Sequence, residues 1–134
     1  MVKDKPQRRK RADLSAVGTL LSELKEFAEE LDVTDPGWTE VMLDTHISNL
    51  IGKGTIKAPR WRKNLRLDDV FDLVFRDEAT DDLRERVQMF QDLTNTYRGE
   101  PDREDMEEAT SVLSEIIERV SAYLEKAKNA HAQT

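Results

Sequence analysis

The sequence predicts an all-α protein, a compact bundle of about five helices with a disordered basic tail at its N-terminus. Apolar residues recur at spacings of three and four through most of the chain, which is the period of amphipathic helices. The chain contains only five glycines and four prolines, too few for an all-β protein with many tight turns. No segment alternates polar and apolar residues for long enough to indicate a strand.

The first two helices are marked by their termini. Asp13 is a candidate N-cap, and apolar residues follow it at helical spacing over 14–31. Proline is favoured at the first position of a helix, so Asp35 followed by Pro36 predicts the start of a second helix, over about 36–51. The residues of this second helix that we expect to face the core are Trp38, Met42 or Val41, Ile47, Leu50 and Ile51.

Three further helices complete the count. The segment LRLDDVFDLVFRD predicts a short third helix with the most apolar cluster in the chain. Thr80 is the expected N-cap of a fourth helix, whose apolar stripe extends to Tyr97. Asp102 or Asp105 caps the long fifth helix. The predicted organisation is a disordered tail over 1–12, one helical domain over 13–128 and a frayed C-terminus over 129–134.

Composition excludes several classes of protein. The chain has no cysteine, which excludes disulfides and thiolate catalysis and fits a reducing compartment. No apolar run approaches the roughly 20 residues that a membrane-spanning helix needs. We therefore expect a cytoplasmic protein that does not enter a membrane.

Charge is strongly segregated along the chain. The net charge of −7 includes +5 over residues 1–12 and +6 over residues 53–66, so the remaining residues carry −18. Clustered lysines and arginines attract phosphate groups in a salt-dependent way. Trp61 lies among the cations of the second segment, where an aromatic ring is able to stack on an unpaired base.

These basic segments give the leading functional hypothesis, a non-enzymatic module that binds RNA, DNA or a nucleoprotein partner. The candidate nucleic-acid-binding residues are Arg8, Arg9, Lys10, Arg11, Lys57, Arg60, Trp61, Arg62, Lys63 and Arg66. Two alternatives stay open for the loop: its cations neutralise the acidic helices, or Trp61 fills the core. The amphipathic first and last helices support a different class, a homo-oligomeric or protein-binding scaffold.

Residues for catalysis or metal binding are sparse. Of the two histidines, His46 is expected to be a partly buried or surface residue without a chemical role, and His131 lies near the C-terminus. The abundant carboxylates are explained by solvated helix faces and by favourable charge at helix N-termini. We expect no metal, no cofactor and no enzymatic activity.

The stretch from about residue 38 to 124 resembles a HEPN domain, the helical family of prokaryotic toxins and antiviral ribonucleases. The resemblance lies in helix order and in the segment LTNTYRGE followed by DREDMEEATSVLSEIIERVSAYL. In that family the penultimate helix typically ends in an arginine, a polar residue and, after a short gap, a histidine. Here Thr94 stands at the arginine position, Asn95 at the polar position, and Tyr97 and Arg98 in the histidine region.

The resemblance implies a member without the hallmark catalytic pair. Such a member is an antitoxin-like or immune-system component that holds RNA or dimerises, with Asn95 and Arg98 at a degenerate groove. A divergent ribonuclease is the further alternative. General acid–base cleavage of RNA usually relies on a positioned histidine, and the expected position lacks one.

Overall fold

The structure is a computed structural model that describes residues 11–57, 65–97 and 99–132. It confirms the predicted all-α class, because the described residues form five α-helices, one short 3₁₀ turn and no strand. Of the predicted disordered tail over 1–12, residues 1–10 lie outside the described ranges. The elements are α1 (Leu14–Glu30), α2 (Pro36–Gly52), α3 (Leu67–Phe75), the 3₁₀ turn (Arg76–Glu78), α4 (Asp81–Thr94) and α5 (Arg103–Ala132).

The helix starts agree with the capping signals in the sequence. The Asp13 side chain accepts a hydrogen bond from the Ser15 backbone N–H at 3.0 Å, and Thr80 accepts one from Leu83 at 3.1 Å. Such bonds satisfy backbone donors that have no partner inside the helix. Of the two residues proposed to cap α5, Asp102 is the cap, since its carboxylate accepts from the Asp105 N–H at 2.8 Å.

The core forms around α5, which packs mainly against α4 and α1. Three phenylalanines, Phe27 on α1, Phe75 at the end of α3 and Phe90 on α4, are among its largest fully buried side chains. The Phe27 and Phe90 rings meet edge to face at 6.0 Å between centroids, a favourable aromatic arrangement. The α3 residues predicted as the most apolar cluster, Leu67, Val70, Phe71, Val74 and Phe75, are all buried.

The predicted inward face of α2 is partly wrong. Ile47 and Leu50 are buried and Met42 is half-buried, but Trp38, Val41 and Ile51 are 48%, 55% and 38% exposed. The reason is that α2 lies at the edge of the bundle and packs mainly against α1 alone. A helix with one neighbour buries a narrow stripe, and the apolar residues outside that stripe remain in solvent.

The predicted ends of the last two helices also need correction. Helix α4 ends at Thr94, and Tyr97, which was expected to continue its apolar stripe, is 95% exposed in the turn that follows. Helix α5 continues to Ala132, beyond the point where fraying was predicted. The segment over 126–132 contains alanines and lysines, which are good helix formers even without burial.

None of the described helices combines the length and the apolar character that a membrane crossing requires.

Candidate nucleic-acid interface

The base of the N-terminal tail is fixed against two other elements. The backbone N–H of Ala12 donates a hydrogen bond of 2.8 Å to Oε2 of Glu78, in the 3₁₀ turn. The same carboxylate oxygen accepts a 2.9 Å hydrogen bond from the Tyr123 hydroxyl of α5. The tail therefore leaves the helical body at a defined point, between the 3₁₀ turn and the C-terminal half of α5.

The second basic segment begins beside this point. A groove of about 890 Å³ is lined by Asp13, from the base of the tail, and by Gly54, Thr55 and Lys57, from the start of the basic loop. Asp13 and Lys57 are far apart in sequence but belong to one groove. Helix α1 begins, and α2 ends, at the same end of the bundle, because the two form an antiparallel hairpin.

Five described cations line two grooves at this end of the molecule, which we call the tail–loop end: Arg11, Lys57, Arg76, Arg84 and Lys126. Acidic groups accompany them, and Arg84 forms an exposed ion pair of 3.3 Å with Asp72. Within the described ranges, no hydrogen bond or ion pair involves the side chains of Lys57 or Arg76. Most of the charge of the two basic segments lies outside the described residues: residues 1–10 carry +4 and residues 58–64 carry +3.

The backbone at Arg76 adopts a conformation that L residues rarely use, with φ 53° and ψ −125°. It is the single non-glycine residue with positive φ in the described part of the chain. Conformations of this kind cost about 1–3 kcal/mol and often occur at functional sites. Here the reversal ends α3 and brings Arg76 to the groove that Lys57 and Asp13 also line.

One cation of the predicted basic segment is already neutralised. The Lys53 ammonium lies 2.5 Å from Oε2 of Glu23, a carboxylate whose side chain is only 3% exposed. Burial raises the pKa of Glu23, whereas the hydrogen bond from Lys53 and the charge of Lys53 lower it. Lys53 is paired with Glu23, so the first cation of the loop that remains for a ligand is Lys57.

His46 is the functional candidate that sequence reasoning missed. It is buried, and its Nδ1 lies 2.7 Å from Oε1 of Glu23 while its Nε2 lies 3.3 Å from Oε2 of Glu30. Burial alone lowers the pKa of His46, but hydrogen bonds and charge from Glu23 and then Glu30 outweigh it and raise the pKa. Both ring nitrogens donate only in the imidazolium form, so the geometry itself favours a protonated histidine.

The predicted interface residues do not all come together. Arg11 and Lys57 lie at the tail–loop end, while Arg66 is exposed at the N-cap of α3, one helix length of about 13 Å from the end of that helix. Asn95 is the exposed C-cap of α4, and its side chain accepts a 2.8 Å hydrogen bond from the Tyr97 N–H. It is therefore about 20 Å from the start of α4 and does not belong to the tail–loop end. The remaining candidates lie outside the described residues: Arg8, Arg9, Lys10, Arg60, Trp61, Arg62, Lys63 and Arg98.

Comparison with known proteins gives no relative. No family model, no curated protein and no solved structure matches the chain.

Proposed function

We propose that this protein is a non-enzymatic helical module that binds nucleic acid through the N-terminal tail and the basic loop over 57–66. One observation carries the proposal: Asp13, at the base of the tail, and Lys57, at the start of the loop, line the same groove. Two basic segments that leave the body together are able to contact one continuous phosphate backbone. A single ligand then releases counterions from both contacts, and affinity becomes strongly salt-dependent.

The acidic surface elsewhere supports binding in one orientation. A separate groove between α4 and α5 is lined by Glu85, Asp92 and Asp105 around Met89. This surface repels a polyanion, whereas the cations at the tail–loop end attract it. The proposal leaves RNA and DNA open, but Trp61 among the loop cations favours unpaired bases, on which an indole ring stacks.

Deletion of residues 1–10 is expected to weaken binding to a single-stranded oligonucleotide by tenfold or more at low salt. The deletion removes Lys3, Lys5, Arg8, Arg9 and Lys10. Each phosphate contact contributes about 0.7 to the slope of log affinity against log salt, so the slope should fall in magnitude by about 3. Fluorescence anisotropy over a salt series, with mixed-sequence RNA and DNA, measures both quantities.

The matched control is Lys25→Ala, which removes one exposed cation from the middle of α1 and should leave the slope unchanged. Alanine substitution of Arg60, Arg62 and Lys63 together should reduce the slope by about 2. Absent or salt-insensitive binding contradicts the proposal.

We expect the labelled RNA to be recovered intact. Cleavage that Arg98→Ala abolishes would instead establish the alternative of a divergent ribonuclease.

A second candidate, a homo-oligomeric scaffold, is favoured by an uncharged stripe on α2. Trp38, Val41, Thr45 and Ser48 follow one another at spacings of three and four, and all are exposed. A face without charge is unusual in a chain with 37% charged residues, and a second copy of α2 is its proposed partner. Sedimentation analysis should then show a dimer that Val41→Glu dissociates. A monomer at all concentrations excludes this candidate.

The resemblance to HEPN domains adds a context to the first proposal. Under it the protein is a catalytically degenerate antitoxin-like or immune-system component in prokaryotic defence, with Asn95 and Arg98 at the former groove. Because Asn95 lies at the far end of α4 from Arg84, this groove is separate from the tail–loop end. Asn95→Ala should therefore leave the salt dependence described above unchanged.

A further inference from the structure

Two complementary polar stripes face each other where α1 packs against α2. Each stripe has the spacing i, i+3, i+7, which places its members on one face of a helix. The α1 stripe is acidic, and the α2 stripe carries nitrogen donors. Their members are Glu23, Glu26 and Glu30 on α1, and His46, Asn49 and Lys53 on α2.

Three of these side chains have the donor atoms and the proximity that a metal ion requires. One ring nitrogen of His46 and one carboxylate oxygen each from Glu23 and Glu26 lie within 4.8 Å of one another. A tetrahedral zinc ion holds nitrogen and oxygen ligands at about 2.0–2.2 Å, which needs a moderate contraction of this set. Glu26 is exposed and therefore free to supply that movement, while Glu23 and His46 are held by burial.

The surroundings of the imidazole match those of a metal ligand. Nδ1 of His46 is the nitrogen that faces Glu23, at 2.7 Å, and Nε2 faces Oε2 of Glu30, at 3.3 Å. Histidines that bind metals usually donate their other ring N–H to a carboxylate, a backbone carbonyl or water, which fixes the tautomer and the ring orientation. Glu30 is placed to accept that hydrogen bond when Nδ1 coordinates an ion.

A cation already contacts one of the three proposed ligands. The Lys53 ammonium lies 2.5 Å from Oε2 of Glu23. The hydrogen bond and charge of Glu23, with a smaller contribution from the charge of Glu26, raise the pKa of Lys53, so the ammonium lies in the field of both carboxylates. The Lys53 side chain is 57% exposed, so it is able to turn into solvent when another cation arrives.

We propose that Glu23, Glu26 and His46 bind a divalent transition-metal ion such as Zn²⁺, which displaces the proton on Nδ1 of His46 into solvent and the ammonium of Lys53 from Glu23. Glu30 orients the imidazole through Nε2, and one coordination position is left for water. The three proposed ligands do not line the grooves of the tail–loop end, and the inference does not depend on nucleic-acid binding.

The test is a calorimetric titration of Zn²⁺ into the chelator-treated full-length protein carrying His131→Gln, which leaves His46 as its one histidine. One equivalent should bind. Glu26→Gln and Glu30→Ala should each weaken binding by about 10–100-fold, since the first replaces an anionic ligand with a neutral amide and the second removes the orienting hydrogen bond. Lys53→Met should strengthen binding, because it removes the competing cation. Co²⁺ in place of Zn²⁺ should give the visible absorption of a tetrahedral site.

Glu29→Gln is the matched control, since Glu29 is an exposed acid of the same helix outside the stripe, and it should bind as the parent does. The inference is overturned if the parent protein binds no Zn²⁺, if Glu26→Gln binds as tightly as Glu29→Gln, or if Lys53→Met weakens binding. Glu26 and Glu30 are both exposed, so substitutions at these two positions should leave the protein folded. Circular dichroism of each variant verifies this.

Discussion

Replacement of Phe27 by alanine is expected to lower the free energy of unfolding by about 3–5 kcal/mol, the usual cost of deleting a buried phenylalanine ring. Phe27 is completely buried. Its ring meets His46 of α2 edge to face at 6.1 Å and Phe90 of α4 at 6.0 Å, so one side chain of α1 contacts two further helices. The packed neighbours cannot close the space, and the cavity adds to the loss of apolar burial. Thermal unfolding should show a decrease of about 10–20 °C in Tm.

Val41→Ala is the control for this substitution. Val41 is also apolar and helical but is 55% exposed, and its truncation should change stability by less than about 0.5 kcal/mol. Equal effects of the two substitutions would contradict the packing of the Phe27 ring between His46 and Phe90. A large effect of Val41→Ala alone would indicate that the exposed face of α2 is covered by a second copy in solution.

The fold class and the helix starts were predictable because they depend on local chemistry. Asp13, Asp35 and Thr80 cap helices through hydrogen bonds to backbone groups two or three residues away. The apolar cluster of α3 was likewise visible from its spacing alone. Interactions of this range are contained in a short window of sequence, so pattern reasoning finds them.

The exposed face of α2 was not predictable in the same way. Apolar residues occur on more than one side of this helix, including Trp38 and Val41 as well as Ile47 and Leu50. Which of them are buried depends on how many helices pack around α2, and this is a property of the tertiary arrangement. The same limit applies to Tyr97, because helix α4 ends before the periodic pattern does.

The sequence contains a pattern that indicates the ionic contacts of Glu23 and Glu30 with His46 and of Glu23 with Lys53. Taken singly, His46 has no neighbour in sequence that suggests a role. Taken as stripes, Glu23 with Glu30 and His46 with Lys53 share a spacing of seven on two helices joined by a short turn. An antiparallel hairpin brings such stripes together, so the match indicates an ionic contact. The tail–loop end was only half predictable, since charge marks the segments but the groove depends on where Asp13 and Lys57 meet.

The buried carboxylate of Glu23 is the second position where a large effect is expected. Burial raises the pKa of Glu23, but hydrogen bonds from Lys53, then His46, then Asn49 outweigh it and hold the pKa below its ordinary value of 4.5. The partner histidine has a pKa above its ordinary value of 6.5, as a result of Glu23 and Glu30. The cluster therefore consists of ionised groups that depend on one another in a largely buried position.

Glu23→Gln should lower the free energy of unfolding by about 2–3 kcal/mol near pH 6. Removing one member of a buried ion pair costs about 3–5 kcal/mol, and the lower figure allows for Lys53, whose side chain is 57% exposed and recovers hydration. Glu29→Gln, an exposed neighbour on α1, should change stability by less than about 0.5 kcal/mol. Urea unfolding in the presence of a chelator measures both variants without a contribution from bound metal.

The pH dependence of this effect separates an ionic role of Glu23 from a packing role. The raised pKa of His46 gives stability that is complete below about 6.5 and is lost as the pH rises through the folded-state pKa. The lowered pKa of Glu23 gives stability that is complete above about 4.5 and is lost as the pH falls through the folded-state pKa. The difference between wild type and Glu23→Gln should therefore be largest between pH 4.5 and 6.5 and should shrink on both sides. A difference that stays constant from pH 3 to 9 would mean that the substitution acts through packing and that His46 is neutral in the folded protein.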